Sequence, residues 1–279
     1  IVPSLAASDS RSSNDISGTV SMSYFSSEDL MWFATLGRGF KSGGFDATRI
    51  SSLDFFEFDD ETSTSFEVGM KSTLMDGRMR LNATAFAMEF DDYQASSFNG
   101  TSYTTRNAAT LDVKGVEFDL QALLTEELSV FVSVGLLDAV FDKFENGPCM
   151  VGVSPAPCDQ SGTDLNHAPD FSGSLVVQYE KPIADTSMAL KARIEYSYRD
   201  DFFTAQDHDP RSVVDAYGLA NVRVGIDSDS GWAITAWGKN VTDEEYGTLI
   251  FDNPIVGEGA FAGFLGAPRT YGVDVSYQF

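Results

Sequence analysis

Two cysteines are the first residues in this sequence whose type and spacing could do chemistry. Cys149 and Cys158 lie in one proline-containing segment, and on a cell surface a thiol pair this close in sequence is oxidised to a disulfide. The ring is short, so the bond would mainly order its own loop. Two free thiols or a metal pair are the alternatives, but zinc usually takes four ligands and only His167 lies nearby. The sequence therefore predicts a candidate disulfide and no metal site.

Histidines give little support for catalysis. His167 and His208 are the two histidines of the chain, and both fall in predicted loops. No Gly-x-Ser-x-Gly elbow and no His-Glu-x-x-His motif accompanies them. We therefore predict that the protein is not an enzyme and needs no cofactor, and that residues 207–209 (Asp-His-Asp) form an exposed loop.

Runs of acidic residues recur along the chain. Several carboxylates together could bind Ca²⁺, but the spaced Asp-x-Asp-x-Asp-Gly pattern of a calcium loop is absent. The pattern favours solvated acidic loop surfaces instead. The runs are residues 57–61, 91–92, 200–201 and 207–209.

The charge balance excludes one class of partner. The 279 residues include 18 Lys and Arg against 42 Asp and Glu, a net charge of −24, whereas nucleic-acid binding needs clustered cations. Hydrophobic residues make up 43%, too many for a disordered chain. No long apolar run predicts a membrane helix, although alternating membrane strands escape a hydropathy average. The start at Ile1, without a leader, suggests that the chain begins at a cut.

These residues must be positioned by strands, because apolar and polar residues alternate along the chain with a period of two. In residues 271–279 the odd positions are Tyr, Val and Phe and the even positions are Gly, Asp, Ser and Gln. A helix would place apolar residues three and four apart. The alternation predicts about eleven strands, near residues 16–25, 30–38, 62–75, 78–90, 109–124, 128–141, 169–180, 187–199, 213–226, 231–240 and 268–279.

Short and long connections alternate along the whole chain. This is typical of an outer-membrane barrel, which has tight periplasmic turns and long outward loops. The sequence thus predicts an all-β fold, an antiparallel up-and-down transmembrane β-barrel with its apolar face toward lipid and its C-terminus on the periplasmic side. The alternative is a soluble two-sheet protein whose apolar face is its core. The long connections are predicted at residues 39–61, 91–108, 142–168, 200–212 and 241–267.

Several stretches resemble, in the same order, those of a known family, the TonB-dependent outer-membrane receptors. Residues 37–45 (GRGFKSGGF) are similar to the family's GxKSGGF stretch, and residues 238–246 (GKNVTDEEY) to its NLTDxxY stretch. Residues 266–271 (GAPRTY) lead into a final strand that ends in Phe279, as in the family. The other similar stretches are RLNATAF at 80–86, DDYQ at 91–94, KGVEF at 114–118 and NHAP at 166–169.

The resemblance implies a role in active import. Family members are 22-stranded barrels with an N-terminal plug. They bind ferric siderophores, haem, cobalamin or oligosaccharides, and TonB rearranges the plug to let the ligand pass. With about 11 strands of the expected 22, residues 1–279 would form the C-terminal part of an incomplete barrel, without the plug domain and the N-terminal barrel strands. An isolated half would expose two long edges, so we expect a fragment of a longer product.

Strand parity and the resemblance together suggest roles for particular residues. Four basic side chains would face the lumen and contact the plug or the ligand: Lys71, Arg193, Arg223 and Lys239. An aromatic residue at the end of an alternating last strand resembles the signal that the barrel-assembly machinery reads. That signal would comprise Tyr271, Tyr277 and Phe279.

Three hypotheses about function follow. The first is TonB-coupled uptake of a scarce ligand, such as a ferric siderophore, in the outer membrane of a Gram-negative cell. Its partners would be outer-membrane lipid, the TonB complex through the missing plug, the barrel-assembly machinery and the small ligand, but no nucleic acid. The second is a passive porin-like or adhesin barrel, which would act without TonB. The third is a soluble β-rich carbohydrate-binding module, which would be extracted without detergent.

Overall fold

The chain is built almost entirely of β-strands. A computed structural model describes residues 8–46, 56–98, 103–150, 152–153, 157–253, 256–257 and 259–278. Within these ranges there is one 3₁₀ turn, Pro210–Ser212, and no helix long and apolar enough to cross a membrane. The strands are β1 (Gly18–Ser27), β2 (Leu30–Lys41), β3 (Gly44–Phe45), β4 (Glu57–Phe58), β5 (Glu61–Leu74), β6 (Met79–Phe98), β7 (Tyr103–Leu123), β8 (Leu128–Lys143), β9 (Phe171–Ile183), β10 (Met188–Arg199), β11 (Phe202–Phe203), β12 (Val213–Val214), β13 (Tyr217–Ser228), β14 (Trp232–Lys239), β15 (Gly247–Asp252), β16 (Phe261–Leu265) and β17 (Thr270–Tyr277).

Eleven of these strands form one antiparallel sheet in up-and-down order. Each long strand pairs with the next long strand in the chain, in the order β1-β2-β5-β6-β7-β8-β9-β10-β13-β14-β17. The three remaining pairs, β3–β4, β11–β12 and β15–β16, are small hairpins inside the long connections. The first and last strands do not pair with each other, so the sheet is open. The predicted eleven strands and their antiparallel order are confirmed, whereas the alternation of tight and long connections fails between β6 and β7.

The predicted loop over residues 91–108 is wrong. Strands β6 and β7 continue through most of it as one tall hairpin. Two small side chains in this extension, Ala95 and Ala108, are buried together with Phe141 and Phe144 at the outer end of β8. Packing between connections therefore stabilises the extension, and a local pattern of polar and apolar residues does not reveal such packing.

One face of the large sheet is apolar, in register from strand to strand. Side chains alternate along a strand, so paired residues on neighbouring strands share a face. These side chains remain exposed, at 43% for Val68 and 72% for Val275, and within the described ranges no second large sheet covers them. One apolar row consists of Met22, Ala34, Val68, Ala85, Val116 and Leu136. Such a face suits lipid, and it contradicts the soluble two-sheet alternative.

The opposite face carries polar side chains in equally continuous rows. One such row consists of Lys71, Asn82, Asp119, Ser133, Ser174 and Ser197. A sheet with apolar residues on one side and small polar residues on the other is the wall of a membrane barrel around a polar interior.

The buried core lies at the outer end of this wall, where the tall hairpin of β6 and β7 meets the end of β8. Phe141 and Phe144, at the outer end of β8, are 0% and 2% exposed, and their ring centres lie 5.0 Å apart. The ring of Tyr93 contacts Phe141 at 6.0 Å. We call the cluster the outer core, and it comprises Ala95, Ala108, Leu111, Phe141 and Phe144. The long connections thus form a packed layer on the outer side of the sheet.

Candidate lumenal wall and outer entrance

Lys71 lies on the polar face of β5, over an aromatic ring. Gly69 precedes it by two residues, and a Cβ atom at Gly69 would stand only 2.6 Å from the ring of Phe33 on β2. The missing side chain lets that ring lie against the wall. The Lys71 ammonium is 5.6 Å from the centre of the Phe33 ring, within the range of a cation–π contact. None of the described carboxylates pairs with Lys71. Because Lys71 lies on the polar face, its charge faces the lumen.

Arg193 and Arg223 lie opposite one another on β10 and β13. Arg193 forms an ion pair with Glu195 and donates a hydrogen bond of 3.2 Å to the Gln178 side chain. Arg223 is exposed and has no ion pair among the described residues. Like charges opposite each other on paired strands repel, and Glu195 neutralises one of the two.

Lys239 is the last residue of β14, the strand next to β13, which carries Arg223. Its ammonium lies 5.6 Å from the centre of the Trp237 ring. All four predicted basic residues therefore lie on the polar face. They do not form one site, because Lys71 is five strands away from Arg193 in the sheet. The structure brings together only Arg193, Arg223 and Lys239, on three neighbouring strands.

Two adjoining troughs cross the polar face, each about 310 Å³ in volume. The first is lined largely by hydroxyl groups, and the second by amides and charged groups. Ser133 and Ser174 line both. The first also includes Ser172, Ser197, Arg199 and Tyr217. Short hydroxyl side chains leave this part of the wall able to form hydrogen bonds with a polar surface placed against it.

The first acidic run is held by one arginine. Arg11 precedes β1, and its guanidinium contacts carboxylate oxygens of Glu57 at 2.7 Å, Asp59 at 3.1 Å and Asp60 at 3.1 Å. A backbone N–H donates to Asp60 at 2.6 Å, and this bond is the main cause that lowers the pKa of Asp60 below its ordinary value. The prediction of a merely solvated surface is wrong here, because the cation comes from a distant part of the chain.

Gln94 ties the tall hairpin to the same region. Its backbone N–H donates to Glu61 at 2.7 Å, and its side-chain amide donates to the backbone oxygens of Ser42 and Asp59 at 3.1 and 3.0 Å. The side chain is buried, and burial without these partners would be costly. The tall hairpin is therefore joined by hydrogen bonds to the connection between β2 and β5.

The long connection between β8 and β9 contains a disulfide. Cys149 and Cys158 are bonded, with an S–S distance of 2.08 Å, and Gln160 donates a hydrogen bond of 2.7 Å to the Pro148 carbonyl oxygen beside them. These thiols cannot bind a metal while they are joined. Across the part of the chain that the structure describes, no three His, Cys, Asp or Glu side chains are placed to hold a metal ion.

The segment at residues 207–209 is packed, and the prediction of an exposed loop is wrong. Asp209 is 1% exposed and caps the 3₁₀ turn by accepting the N–H of Arg211 at 2.9 Å. Both ring nitrogens of His208 lie against backbone oxygens, those of Gln206 at 3.1 Å and Asp164 at 2.7 Å. The polar groups of this segment thus hold neighbouring loops together.

Residues 238–246 form a tight, hydrogen-bonded segment in which the chain leaves the wall at the end of β14. Asn240 has a positive φ of 49°, accepts the N–H of Glu244 at 2.9 Å and donates to the carbonyl oxygens of Glu244 and Ala267 at 2.8 and 3.2 Å. Asp243 forms an ion pair with Arg269 at 3.0 Å. These bonds join the start and the end of the last long connection above β14 and β17.

The last strand presents its aromatic residues on the apolar face. Tyr271 and Tyr277 are 81% and 58% exposed and pair with Gly238 and Trp232 of β14. Phe279, the third residue of the predicted assembly signal, lies outside the described residues.

Reasoning from the sequence missed the residues that join the connections to one another. Arg11 reaches Glu57 across 46 positions, and Thr204 reaches Ile250 across 46 positions. No local motif surrounds either residue. A lone arginine before the first strand of an acidic chain is the only signal that could have drawn attention to Arg11.

These features define a class of protein, an antiparallel membrane barrel with tight turns at one end and a packed layer of loops at the other. The chain belongs to the TonB-dependent receptor family, because the family model described as "TonB dependent receptor-like, beta-barrel" matches residues 2–241. This confirms the resemblance and places the chain in the outer membrane of a Gram-negative bacterium. Proteins of this family are receptors and transporters, not enzymes.

Individual relatives agree with this assignment. The chain is 26% identical over 158 residues to the metal-pseudopaline receptor CntO of Pseudomonas aeruginosa. The matched region covers 56% of this chain and 20% of CntO. The crystal structure of the ferric yersiniabactin uptake receptor FyuA from Yersinia pestis matches 94% of this chain and 37% of its own, with a TM-score of 0.77 and 18% identity. The match to the crystal structure of the siderophore receptor PiuA from Acinetobacter baumannii covers 93% of this chain and 35% of PiuA, with a TM-score of 0.70 and 16% identity. The chain spans well under half of each relative.

Proposed function

We propose that this chain is the C-terminal part of a receptor barrel that imports a scarce ligand across the outer membrane with energy delivered through TonB. The observation that carries the proposal is the eleven-stranded wall with a packed layer of connections at its outward end, in a chain of the TonB-dependent receptor family. Members of this family interact with TonB and bind siderophore or metal ligands. The plug domain and the N-terminal strands of the barrel would belong to the same longer product.

The ligand class that we propose is a chelated metal ion, with a ferric siderophore as the first candidate. The names of FyuA and PiuA point to siderophore uptake, and that of CntO points to a metal complex. A passive pore or an adhesin would not require the plug or TonB, and this difference makes the alternatives testable.

On the lumenal wall, we propose that the plug lies against the hydroxyl-lined trough and is contacted by Arg193, Arg223 and Lys239, with Lys71 contacting it farther along the wall. Arg223 is exposed, has no ion pair among the described residues and lies between the strands of Arg193 and Lys239, so its charge would attract a carboxylate of the plug or of the ligand. The tail, with Tyr271, Tyr277 and Phe279, would carry the signal for the barrel-assembly machinery.

The first experiment is to find the native polypeptide with an antibody against residues 273–279. Outer membranes of the source cells are blotted with and without boiling. A heat-shifting band of more than about twice 30.3 kDa is expected, because a 22-stranded barrel with a plug needs a much longer chain. A soluble band of 30.3 kDa without a heat shift would contradict the barrel.

The second experiment measures uptake in whole cells. Deleting the gene should abolish uptake of one radiolabelled metal chelate, and a tonB deletion should do the same. Iron, zinc and copper chelates are compared, so that the metal is identified by the label that is lost. Uptake that persists without TonB, together with channel conductance of the purified protein, would favour a passive pore.

A further inference from the structure

The two troughs of the polar face join into one depression that runs between the two ends of the wall. The first trough reaches Arg199, the last residue of β10, and Tyr217, the first residue of β13, at the outer end. The second trough reaches Arg80, the second residue of β6, which follows a tight turn at the inner end. Ser133 and Ser174 line both troughs and join them. We call this depression the lumenal track.

Small side chains keep the outer half of the track open. Gly135 is paired with Ser172, and a Cβ atom at Gly135 would stand 3.3 Å from the Ser172 hydroxyl oxygen, closer than an ordinary van der Waals contact. Ser172, Ser174 and Ser197 are exposed, and their hydroxyl groups form no hydrogen bond within the described ranges. A plug that lies against this part of the wall would therefore leave room behind it, lined by groups that can both donate and accept hydrogen bonds.

Positive charge lines the track at both ends. The guanidinium groups of Arg199 and Arg80 are exposed, and neither forms an ion pair with a residue that the structure describes. Lys71, which is paired with Asn82 of the inner trough, adds a third cation without an ion pair. A chain with a net charge of −24 thus places three unpaired cations along one depression of its lumenal wall.

Two carboxylates lie beside the track. Asp119 accepts the hydroxyl group of Ser133 at 2.8 Å, and Glu117 is paired with Gly135 at the border of the outer trough. The cations therefore exceed the carboxylates, and the hydroxyl, amide and guanidinium groups of the lining are mostly hydrogen-bond donors. This combination suits a solute with several anionic oxygen atoms.

We propose that the lumenal track is the path along which an anionic, oxygen-rich metal chelate passes the plug. This inference rests on the proposed function, and it adds the side of the barrel on which the ligand crosses and the charge that the ligand carries. Arg199 attracts the chelate at the outer end, the serine hydroxyl groups exchange hydrogen bonds with its oxygen atoms, and Arg80 attracts it toward the inner end. Many weak contacts suit passage, because no single contact holds the chelate in place.

Thiol labelling of the intact receptor in outer membranes tests the track without any ligand. The described cysteines of this chain are bonded to each other, so Ser174→Cys adds a free thiol where the two troughs meet. Reaction rates are measured with an anionic and a cationic reagent, sulfonatoethyl and trimethylammonioethyl methanethiosulfonate, and divided by their rates with glutathione. The anionic reagent should react about tenfold faster, because the cations raise its local concentration. Adding Arg80→Gln and Arg199→Gln should remove this preference.

Ser65→Cys is the matched control. Ser65 lies on the polar face of β5, opposite Gly37, and lines neither trough. The same change there should give a thiol that reacts without a preference for the anionic reagent or does not react at all. The receptor without substitutions gives the background of both reagents.

Uptake of the iron, zinc and copper chelates by whole cells tests passage itself. Ser174→Trp should lower the maximal rate of uptake about tenfold and leave half-saturation unchanged, because the indole obstructs a step after binding. Ser65→Trp should import as the wild type does. Treating Ser174→Cys with a bulky maleimide after assembly should block uptake as Ser174→Trp does, and this separates obstruction from a defect in folding.

Three results would overturn the track. They are a Ser174→Cys thiol that does not react, which would mean that the plug fills the depression, equal rates for the two reagents, and unchanged uptake after obstruction at Ser174. A wild type that imports none of the chelates would instead contradict the proposed function. The reagent rates would still show whether the depression is open and favours anions.

Discussion

The wall and the outer layer of this protein are stabilised in different ways. In the wall, apolar side chains such as Val116 and Ile194 are 46% and 55% exposed, and backbone pairing along eleven strands provides the internal contacts. In the outer layer, Phe141 and Leu111 are 0% and 1% exposed, and hydrogen bonds join distant connections. The wall leaves its apolar face for the lipid, whereas the outer layer stands in water and must bury its own apolar groups.

This difference teaches where a substitution will act. A change on the apolar face of the wall alters contact with lipid, a change on the polar face alters the lumen, and a change in the outer core alters only the arrangement of the connections. The predictions below test this division, from the largest effect to the smallest.

Phe141→Ala should have the largest effect, and it should be confined to the outer layer. Removing a fully buried aromatic ring costs about 3–5 kcal/mol. The amides of Phe141 and Leu165, bonded to Thr163 and Ala139, should lose that much protection in hydrogen exchange. Phe131→Ala is the matched control on the same strand, because its ring faces the lumen. If Phe141→Ala reduced the amount of heat-stable barrel, the outer layer and the wall would not be stabilised independently.

Ile194→Arg should destabilise the wall without loosening the outer core. An arginine on the lipid face costs about 2–4 kcal/mol near the middle of the membrane, and Ile194 lies near the middle of β10. Urea unfolding in liposomes measures the effect. Ser197→Arg, on the polar face of the same strand, should unfold as the wild type does. Equal effects of the two variants would mean that the apolar face does not meet lipid.

Replacing both Cys149 and Cys158 by serine should loosen one connection only. Chain entropy predicts a loss of about 2–3 kcal/mol for so short a ring. Limited proteolysis should show faster cleavage near the missing bond, while the heat-dependent migration of the barrel is unchanged. Slower assembly of the whole barrel would show that the disulfide acts beyond its own loop.

Arg11→Gln should have the smallest effect and should weaken a response to acid. The carboxylate of Asp60 has a pKa lowered by its hydrogen bonds, mainly that from Gly43, so its contact with Arg11 is present near neutral pH and is lost as the pH falls below the ordinary value of 3.8. Exchange of the Gly43 amide should rise in acid in the wild type. In the variant it should already be faster at neutral pH.

Much of the wall could be predicted from the sequence, because period-two alternation records which side chains meet lipid. The positions of Lys71, Arg193, Arg223 and Lys239 on the polar face follow from parity alone. Their possible contacts with the plug or the ligand stay a prediction. The tall hairpin was not predicted, because Ala95 and Ala108 are buried by rings from the outer end of β8.

The packed segment at residues 207–209 is a second case in which the local sequence does not reveal packing against a distant part of the chain. Three polar residues in a row are typical of an exposed loop, and nothing beside them in the sequence indicates a contact with Phe261. Arg211, which is paired with Asp209, contacts Phe261 of the hairpin β15–β16, and this hairpin begins about 40 positions later.

The sequence by itself determined the number of strands, their order, the two faces of the wall and the end that carries the long connections. These properties are local, because each strand records its own surroundings in every second residue. Only the tertiary structure decided how the connections pack: the outer core, the Arg11 ion pairs and the hydrogen bonds between Thr204 and Ile250. Each of these joins residues that are far apart in the chain, and only the folded wall, by bringing the ends of its strands side by side, places them in contact.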